Sequence, residues 1–323
     1  MAAISVRAIC VGGAGGALCR SGDAGATWRR LGSGRFKAIR ASVSSGDSVW
    51  MADAGGTLIR AGISDESWAS TTIVGGAAIN GLARVGTRGW VVGDGGLAAT
   101  TTDDGETWLP QQPPTTNDLT AVAAPAERTV VIAGAAGTLL TSHDAGVSWL
   151  LHHGIADDLF CLSFVDAGHG WAGGGAPFGE TRAFVSRTTD GGRSWNSVDL
   201  PAWGRVRGLS FIDRRIGWAV VEDWGADGDW PHGTVFTTAD AGETWVEQTK
   251  VAAQLRGVSM QSDGSGLAYG ERGHVLQTAD AGVTWVPVDV GTDSDLYAAA
   301  SHARGPWLVG ADGAVLRGLP PLP

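Results

Sequence analysis

Three cysteines in 323 residues are too few for a disulfide framework, and Cys10, Cys19 and Cys161 stand at no zinc-finger spacing. Cys10 and Cys19 would face one another only if the hairpin between them turns at Ala14-Gly15. Basic side chains number 23 against 33 acidic ones, and the net charge of -10 opposes a phosphate backbone. Nucleic acid is therefore not expected as a partner. No apolar run is long enough to cross a bilayer, so membrane insertion is not expected either. Met1 to Val11 lacks the basic start of an export signal, and Cys10-Val11-Gly12-Gly13 aligns instead with Trp90-Val91-Val92-Gly93. We expect a cytoplasmic protein or one assembled into a particle. The histidines show no ligand spacing, and Gly12-Gly13-Ala14-Gly15-Gly16 lacks the following helix that would aim N–H groups at a phosphate. No cofactor is expected.

What the chain has in quantity is tryptophan, 15 residues in a sequence that is 43% hydrophobic. Seven of them close nearly the same eight-residue phrase, Ser/Thr-x-Asp-x-Gly-x-Thr/Ser-Trp. The complete copies pair Asp23 with Trp28, Asp103 with Trp108, Asp144 with Trp149, Asp190 with Trp195, Asp240 with Trp245 and Asp280 with Trp285; a worn copy ends at Trp68. Successive Trp residues are 40, 40, 41, 46, 50 and 40 positions apart, a period that belongs to propeller blades. An unbroken period argues for a single β-propeller domain over 1–323, with a short Pro-rich tail at 318–323.

Residues 119–152 serve as the type unit. Leu119 to Ala123, Val130 to Ala133, Leu139 to Thr141 and Val147 to Leu150 read as strands a, b, c and d. Glycines in the b-to-c turn, as in Gly134-Ala135-Ala136-Gly137, supply the positive φ of a tight hairpin. The eight-residue phrase falls in the c-to-d turn, where the Asp carboxylate can accept from turn N–H groups and from the Ser/Thr hydroxyl. A second stripe, three residues before the b-strand turn, runs through Cys10, Trp50, Trp90, Val131, Trp171, Trp218, Leu267 and Trp307, and is expected to be core. Eight b-to-c hairpins, seven d strands and seven clear a strands, the first near Phe36, favour an all-β propeller of eight four-stranded antiparallel blades, with seven as the alternative.

The repeated phrase resembles the Asp-box, or BNR repeat, of sialidase-like propellers. In its short blades and inner strands such as Leu255-Arg256-Gly257-Val258-Ser259, the chain is similar to the photosystem II stability/assembly-factor-like family. That resemblance implies a non-catalytic factor that holds a partner protein during assembly through arginines on one face, matched here by Arg207 and Arg256 with Lys37 as stand-in. A sialidase would require an Arg triad and a Tyr nucleophile with a Glu partner. Only Tyr269 and Tyr297 are present, with no evident Glu partner, so no enzymatic activity is expected.

Two insertions mark the b-to-c end of the ring, residues 173–182 in the fifth repeat and 222–233 in the sixth. Trp224 and Trp230 lie in the second, and Trp203 in the adjacent connection. These aromatics read as a contact surface or as caps folded back on the ring. Aligning the inner strands gathers Lys37, Asn80, Thr120, Phe160, Arg207, Arg256 and Tyr297 near the axis. With Arg205, the cations would form a basic mouth for an acidic segment or a C-terminal carboxylate; scattered solvated charge is the plainer reading. Asp223, Asp227 and Asp229, with Glu222, would suit calcium, although their spacing fits a solvated acidic turn better. The expectation is a non-enzymatic protein-binding scaffold or assembly factor. A structural component of a phage or surface particle, and a glycan-binding or sialidase-like protein, are the alternatives.

Overall fold

A computed structural model of the chain describes the backbone of residues 9–12, 18–21, 29–32, 39–45, 48–62, 68–73, 76–176, 181–225, 232–291, 293, 295–300, 307–310 and 315–317. Side chains are described over 40–43, 50–60, 69–73, 76–176, 181–225, 232–291, 293 and 295–297. Asp23, Trp28, Lys37, Trp230, Asp227, Asp229, the tail 318–323 and the side chains of Cys10, Cys19 and Trp68 lie outside these residues.

The described elements form eight consecutive units. Repeat 1 holds β1 (Ile9–Gly12), β2 (Leu18–Ser21) and β3 (Arg29–Gly32); repeat 2 holds β4 (Ile39–Ser45), β5 (Ser48–Asp53), β6 (Thr57–Gly62) and β7 (Trp68–Thr72). Repeat 3 has β8 (Ile79–Val85), β9 (Arg88–Gly93), β10 (Ala98–Thr101) and β11 (Leu109–Pro110). Repeat 4 has β12 (Leu119–Ala123), β13 (Val130–Gly134), β14 (Leu139–Ser142) and β15 (Leu150–Leu151). Repeats 5 and 6 run from β16 (Leu159–Phe164), β17 (Gly170–Gly174) and β18 (Arg182–Thr188) through β19 (Asn196–Phe211) to β20 (Gly217–Asp223), β21 (His232–Thr238) and β22 (Val246–Val251). Repeat 7 has β23 (Leu255–Met260), β24 (Gly266–Gly270), β25 (Val275–Thr278) and β26 (Val286–Val288), and repeat 8 has β27 (Leu296–Ala300), β28 (Trp307–Gly310) and β29 (Val315–Arg317).

Every unit is an antiparallel meander whose neighbours in sequence are neighbours in the sheet. The inner strands β4, β8, β12, β16, β19, β23 and β27 pack side by side in chain order, and β1 lies against β28. Sheets stacked face to face about their innermost strands make a β-propeller. Repeats 5 and 6 share one seven-stranded sheet, because β19 is both the outermost strand of one and the innermost of the other. The sequence predicts a separate inner strand from Val206. Gly204, at φ 139, lets the ladder pass between the two repeats without a break.

The first clear inner strand is described over Ile39–Ser45, and Phe36 lies outside the described residues. Two boundaries differ from the sequence reading. Cys19 pairs with Val11 and Cys10 with Arg20, which centres that hairpin on Gly15, so the two cysteines are not opposed. Strand d of repeat 4 starts at Leu150 rather than Val147, because Asp144 holds the preceding residues in a turn.

The b-strand stripe is core wherever its side chains are described: Trp50, Trp90, Val131, Trp171, Trp218 and Leu267 are all at most 3% exposed. Three of these indoles also tie one repeat to the next. Trp90 Nε1 donates to Ala145 O (3.1 Å), Trp171 Nε1 to Ala241 O (2.8 Å) and Trp218 Nε1 to Ala281 O (3.2 Å). Each acceptor is the residue before the glycine of the next repeat's aspartate turn, held at positive φ. Its own N–H bonds the a-to-b turn of its repeat, at 2.9 Å in all three cases.

The aspartate turns repeat one set of bonds. In repeat 6, Asp240 accepts from Thr238 Oγ1 (2.8 Å), Thr244 N (2.9 Å) and Thr244 Oγ1 (2.6 Å), while Gly242 N donates to Thr238 Oγ1 (2.9 Å). Asp103, Asp144, Asp190 and Asp280 do the same. The hydroxyl of Thr107, Ser148, Thr244 or Thr284 is the chief cause that holds Asp103, Asp144, Asp240 and Asp280 at about 2. At Asp190 burial is the largest influence and pushes upward, but bonds from Ser194, Thr188 and Arg193 outweigh it and the carboxyl also sits at about 2. A depressed carboxyl stabilises the fold above its unfolded value, and that contribution is lost as pH falls through the folded value. Stability is therefore expected to be flat in this respect above about pH 4 and to fall steeply between about pH 4 and 2. Acid titration followed by circular dichroism checks it; an acid transition in this window that is unchanged after Asp240→Asn would count against the assignment.

Candidate functional site

Each inner strand from β4 to β27 begins with the same irregularity. The pairing to strand b slips between Ile39 and Ala41, Ile79 and Gly81, Leu119 and Ala121, Leu159 and Cys161, Val206 and Gly208, Leu255 and Gly257, and Leu296 and Ala298. The bulged residues are thus Arg40, Asn80, Thr120, Phe160, Arg207, Arg256 and Tyr297. A bulge re-aims the extra side chain out of the ladder. The local sequence reads aliphatic, variable, small. Ile79, Leu119, Leu159, Val206, Leu255 and Leu296 are fully buried. The small residue is needed because neighbouring inner strands approach closely: a Cβ on Gly208 would lie 2.9 Å from Gly257 Cα.

The bulged side chains meet one another around the axis. Arg40 donates to Asn80 Oδ1 (2.6 Å), Asn80 Nδ2 to Leu119 O (3.0 Å), and Thr120 Oγ1 to Leu159 O (2.6 Å). Arg207 stacks over Phe160 at 5.0 Å and Arg256 over Tyr297 at 5.5 Å. Sequence alignment brought six of these seven together. It missed Arg40, the member from repeat 2, for which it offered Lys37; the aliphatic-x-small signature at Ile39-Arg40-Ala41 was the available signal.

The polar half of this girdle is saturated and the cationic half is not. Arg205 makes a two-pronged pair with the buried Glu222 carboxylate, at 2.9 and 3.1 Å, and also covers Phe160 at 5.3 Å. Arg207 reaches that carboxylate only at 3.9 Å, so two guanidinium groups share one acid. Arg256 pairs with Glu271 (2.7 Å) and Asp295 (3.4 Å), yet its buried Nε has no acceptor among the described residues. Burial, and next the charge of Arg205, pull the Arg207 guanidinium below its ordinary value, with Glu222 opposing. A guanidinium still remains charged at neutral pH. The arrangement can accept a planar anion between aromatic faces, because it offers fork-shaped donors that the protein does not fully use.

Beside it stand two described tryptophans. Trp203 and Trp224 are half-buried; Trp224 N donates to Trp203 O (2.7 Å), Trp203 N to Asp223 Oδ1 (3.2 Å), and Arg182 lies over the Trp203 ring at 5.1 Å. Antiparallel pairing of Gly204 with Asp223 and Arg205 with Glu222 makes this patch continuous with the arginines. Asp223 takes Lys250 Nζ at 2.7 Å and Gly225 N at 3.0 Å, a structural role within the fold. Tyr269 is buried with its hydroxyl against Gly257 of the inner strand, whereas Tyr297 is 41% exposed. Burial pushes the Cys161 thiol up to about 12, which leaves it inert as a nucleophile. Among the described residues, no helix is long and apolar enough to cross a membrane.

The sequence matches no family model and no curated protein. Its fold is shared with solved propellers. A structure described as YCF48 bound to D1 peptide is 18% identical, covers 88% of this chain and 93% of its own, and superposes with a TM-score of 0.66. YCF48 from Cyanidioschyzon merolae is 15% identical over 87% of this chain and 94% of that one, with a TM-score of 0.65. The WD40 repeats of RRP9 are 10% identical over 90% and 93%, with a TM-score of 0.69. At such identities the likeness establishes the β-propeller fold and nothing beyond it.

Proposed function

We propose that the protein is a non-catalytic docking scaffold that holds an acidic segment, or a free C-terminal carboxylate, of a partner protein at the b-to-c end of the ring. The observation that carries this reading is the under-partnered pair Arg207 and Arg256, framed by Phe160 and Tyr297 and flanked by Trp203 and Trp224. Cations held against aromatic faces on rigid strands lose little entropy on binding, and Trp, Tyr and Arg are the residues that anchor protein interfaces. The same mouth suits an assembly factor of the photosystem II assembly-factor-like kind, a reading to which the peptide-bound structural neighbour lends support.

Binding of a library of peptides ending in a free carboxylate, each paired with its amidated form, tests the proposal by fluorescence anisotropy. Free-carboxylate peptides should bind, and the Arg207→Ala/Arg256→Ala double variant should weaken them about a hundredfold or more, the scale of two charge-assisted hydrogen bonds. Equal binding of amidated forms would rule out the terminal carboxylate and leave the acidic segment; a double variant that binds as tightly would overturn both. A glycan array run in parallel would answer for the sugar-binding alternative.

A further inference from the structure

We propose that the seam between repeats 4 and 5 is an acid-sensitive joint of the ring, loosened when His143 and His152 take up protons. It lies at the aspartate-turn end, so it is independent of the docking reading above.

In three described seams the glycine of an aspartate turn rests on a tryptophan of the preceding repeat, and in a fourth that tryptophan bonds the residue before the glycine. Gly105 sits on Trp50, Gly242 on Trp171 and Gly282 on Trp218, and Trp90 bonds Ala145. Repeat 4 has Val131 at that place. The turn of repeat 5, Asp190 to Arg193, therefore rests on different groups. A Cβ on Gly192 would meet Thr141 Oγ1 at 2.8 Å and Val131 at 3.4 Å, and one on Gly191 would meet His143 Cε1 at 3.9 Å. His152 Nε2 lies 3.1 Å from Thr141 Oγ1, and its ring meets Trp195 of repeat 5 edge-on at 6.4 Å. His143 Nε2 is buried with no partner among the described residues. Two imidazoles thus occupy a joint that an indole fills elsewhere.

A proton on either ring is poorly received. For His152 burial is the main obstacle, with His153 and His143 adding repulsion, against Asp190 and the backbone of Gly192 in favour. For His143 burial again leads, then Arg193, against Asp190 and Asp144. The two aspartates keep their charge through this range, both standing at about 2. A histidine whose closed-state value is depressed leaves the joint unaffected above about pH 6.5 and favours the open joint as pH falls below it.

Native-state hydrogen exchange on the full chain tests this. Amides of Gly191 and Gly192 are compared with those of Ala241 and Gly242 in the tryptophan-latched seam, at pH 7.5 and 5.5, in wild type and in His143→Gln/His152→Gln. Protection at Gly191 and Gly192 should fall more than at Ala241 and Gly242 in wild type on going from pH 7.5 to 5.5, and this excess should vanish in the double variant. Equal changes in the two seams, or an excess that persists without the histidines, would overturn the proposal. Ring titration of the wild-type histidines by NMR needs no variant: midpoints for both at or above about 6.5 would also sink it.

Discussion

Replacing Trp171 with alanine is expected to cost about 3–5 kcal/mol of unfolding free energy, the range for removing a buried indole when its surroundings collapse only in part. Trp171 is 1% exposed, lies stacked on Phe211 with ring centroids 3.5 Å apart, and donates to Ala241 O across the repeat boundary. The substitution therefore opens a cavity in the largest core cluster among the described residues and leaves the Ala241 carbonyl, on a residue already held at positive φ, with only a 3.4 Å bond from Arg187 Nη1. Urea unfolding monitored by far-ultraviolet circular dichroism measures the loss. A change below about 1 kcal/mol would mean that the indole is not a structural latch. Trp171→Phe should recover the packing but not the hydrogen bond, and so fall between the two.

Gly204→Ala is the second large effect, and it strikes the site as well as the fold. A Cβ at this position would stand 2.0 Å from Glu222 O, a backbone atom that cannot swing aside, at φ 139 where L residues are strained. Strain alone is worth about 1–3 kcal/mol, and relief of the clash requires β19 and β20 to part where Arg205 pairs with Glu222. We expect a loss of at least about 2 kcal/mol together with weakened peptide capture. Gly95→Ala is the contrasting control: its φ is 65 and no atom lies within 4 Å of the added methyl, so only conformational strain of about 1 kcal/mol applies. Similar melting temperatures for the two alanine variants would refute the close-approach argument.

The propeller was legible because its signals are local. An aspartate that accepts from a hydroxyl two residues before it and from an N–H four residues after it writes its geometry into eight consecutive letters. The buried b-strand stripe likewise follows from alternation within a strand. The same locality explains the errors. Strand d of repeat 4 was placed three residues early because the turn's own bonds extend to Ser148, and the break between repeats 5 and 6 was expected where a glycine carries the ladder through.

The candidate site was legible only in outline. Arg205, Arg207, Arg256 and Tyr297 could be placed near the axis by alignment, since each begins or precedes an inner strand. Arg40 was missed because a bulge shifts which residue leaves the ladder, and the shift depends on pairing with strand b. That two arginines share Glu222, while Arg256 leaves a buried donor unused, rests on residues 15 to 17 positions apart brought together across strands.

By itself the sequence determined an all-β propeller, the position of its turns, and which tryptophans are core, because hydrogen bonds within a turn and the two-residue period of a strand are short-range properties. Tertiary structure alone decided which side chains face one another across the axis and across the seams. Charge compensation, aromatic stacking and the exchange of an indole for two imidazoles between repeats 4 and 5 are set by distances between neighbouring sheets, and no spacing along the chain encodes those distances.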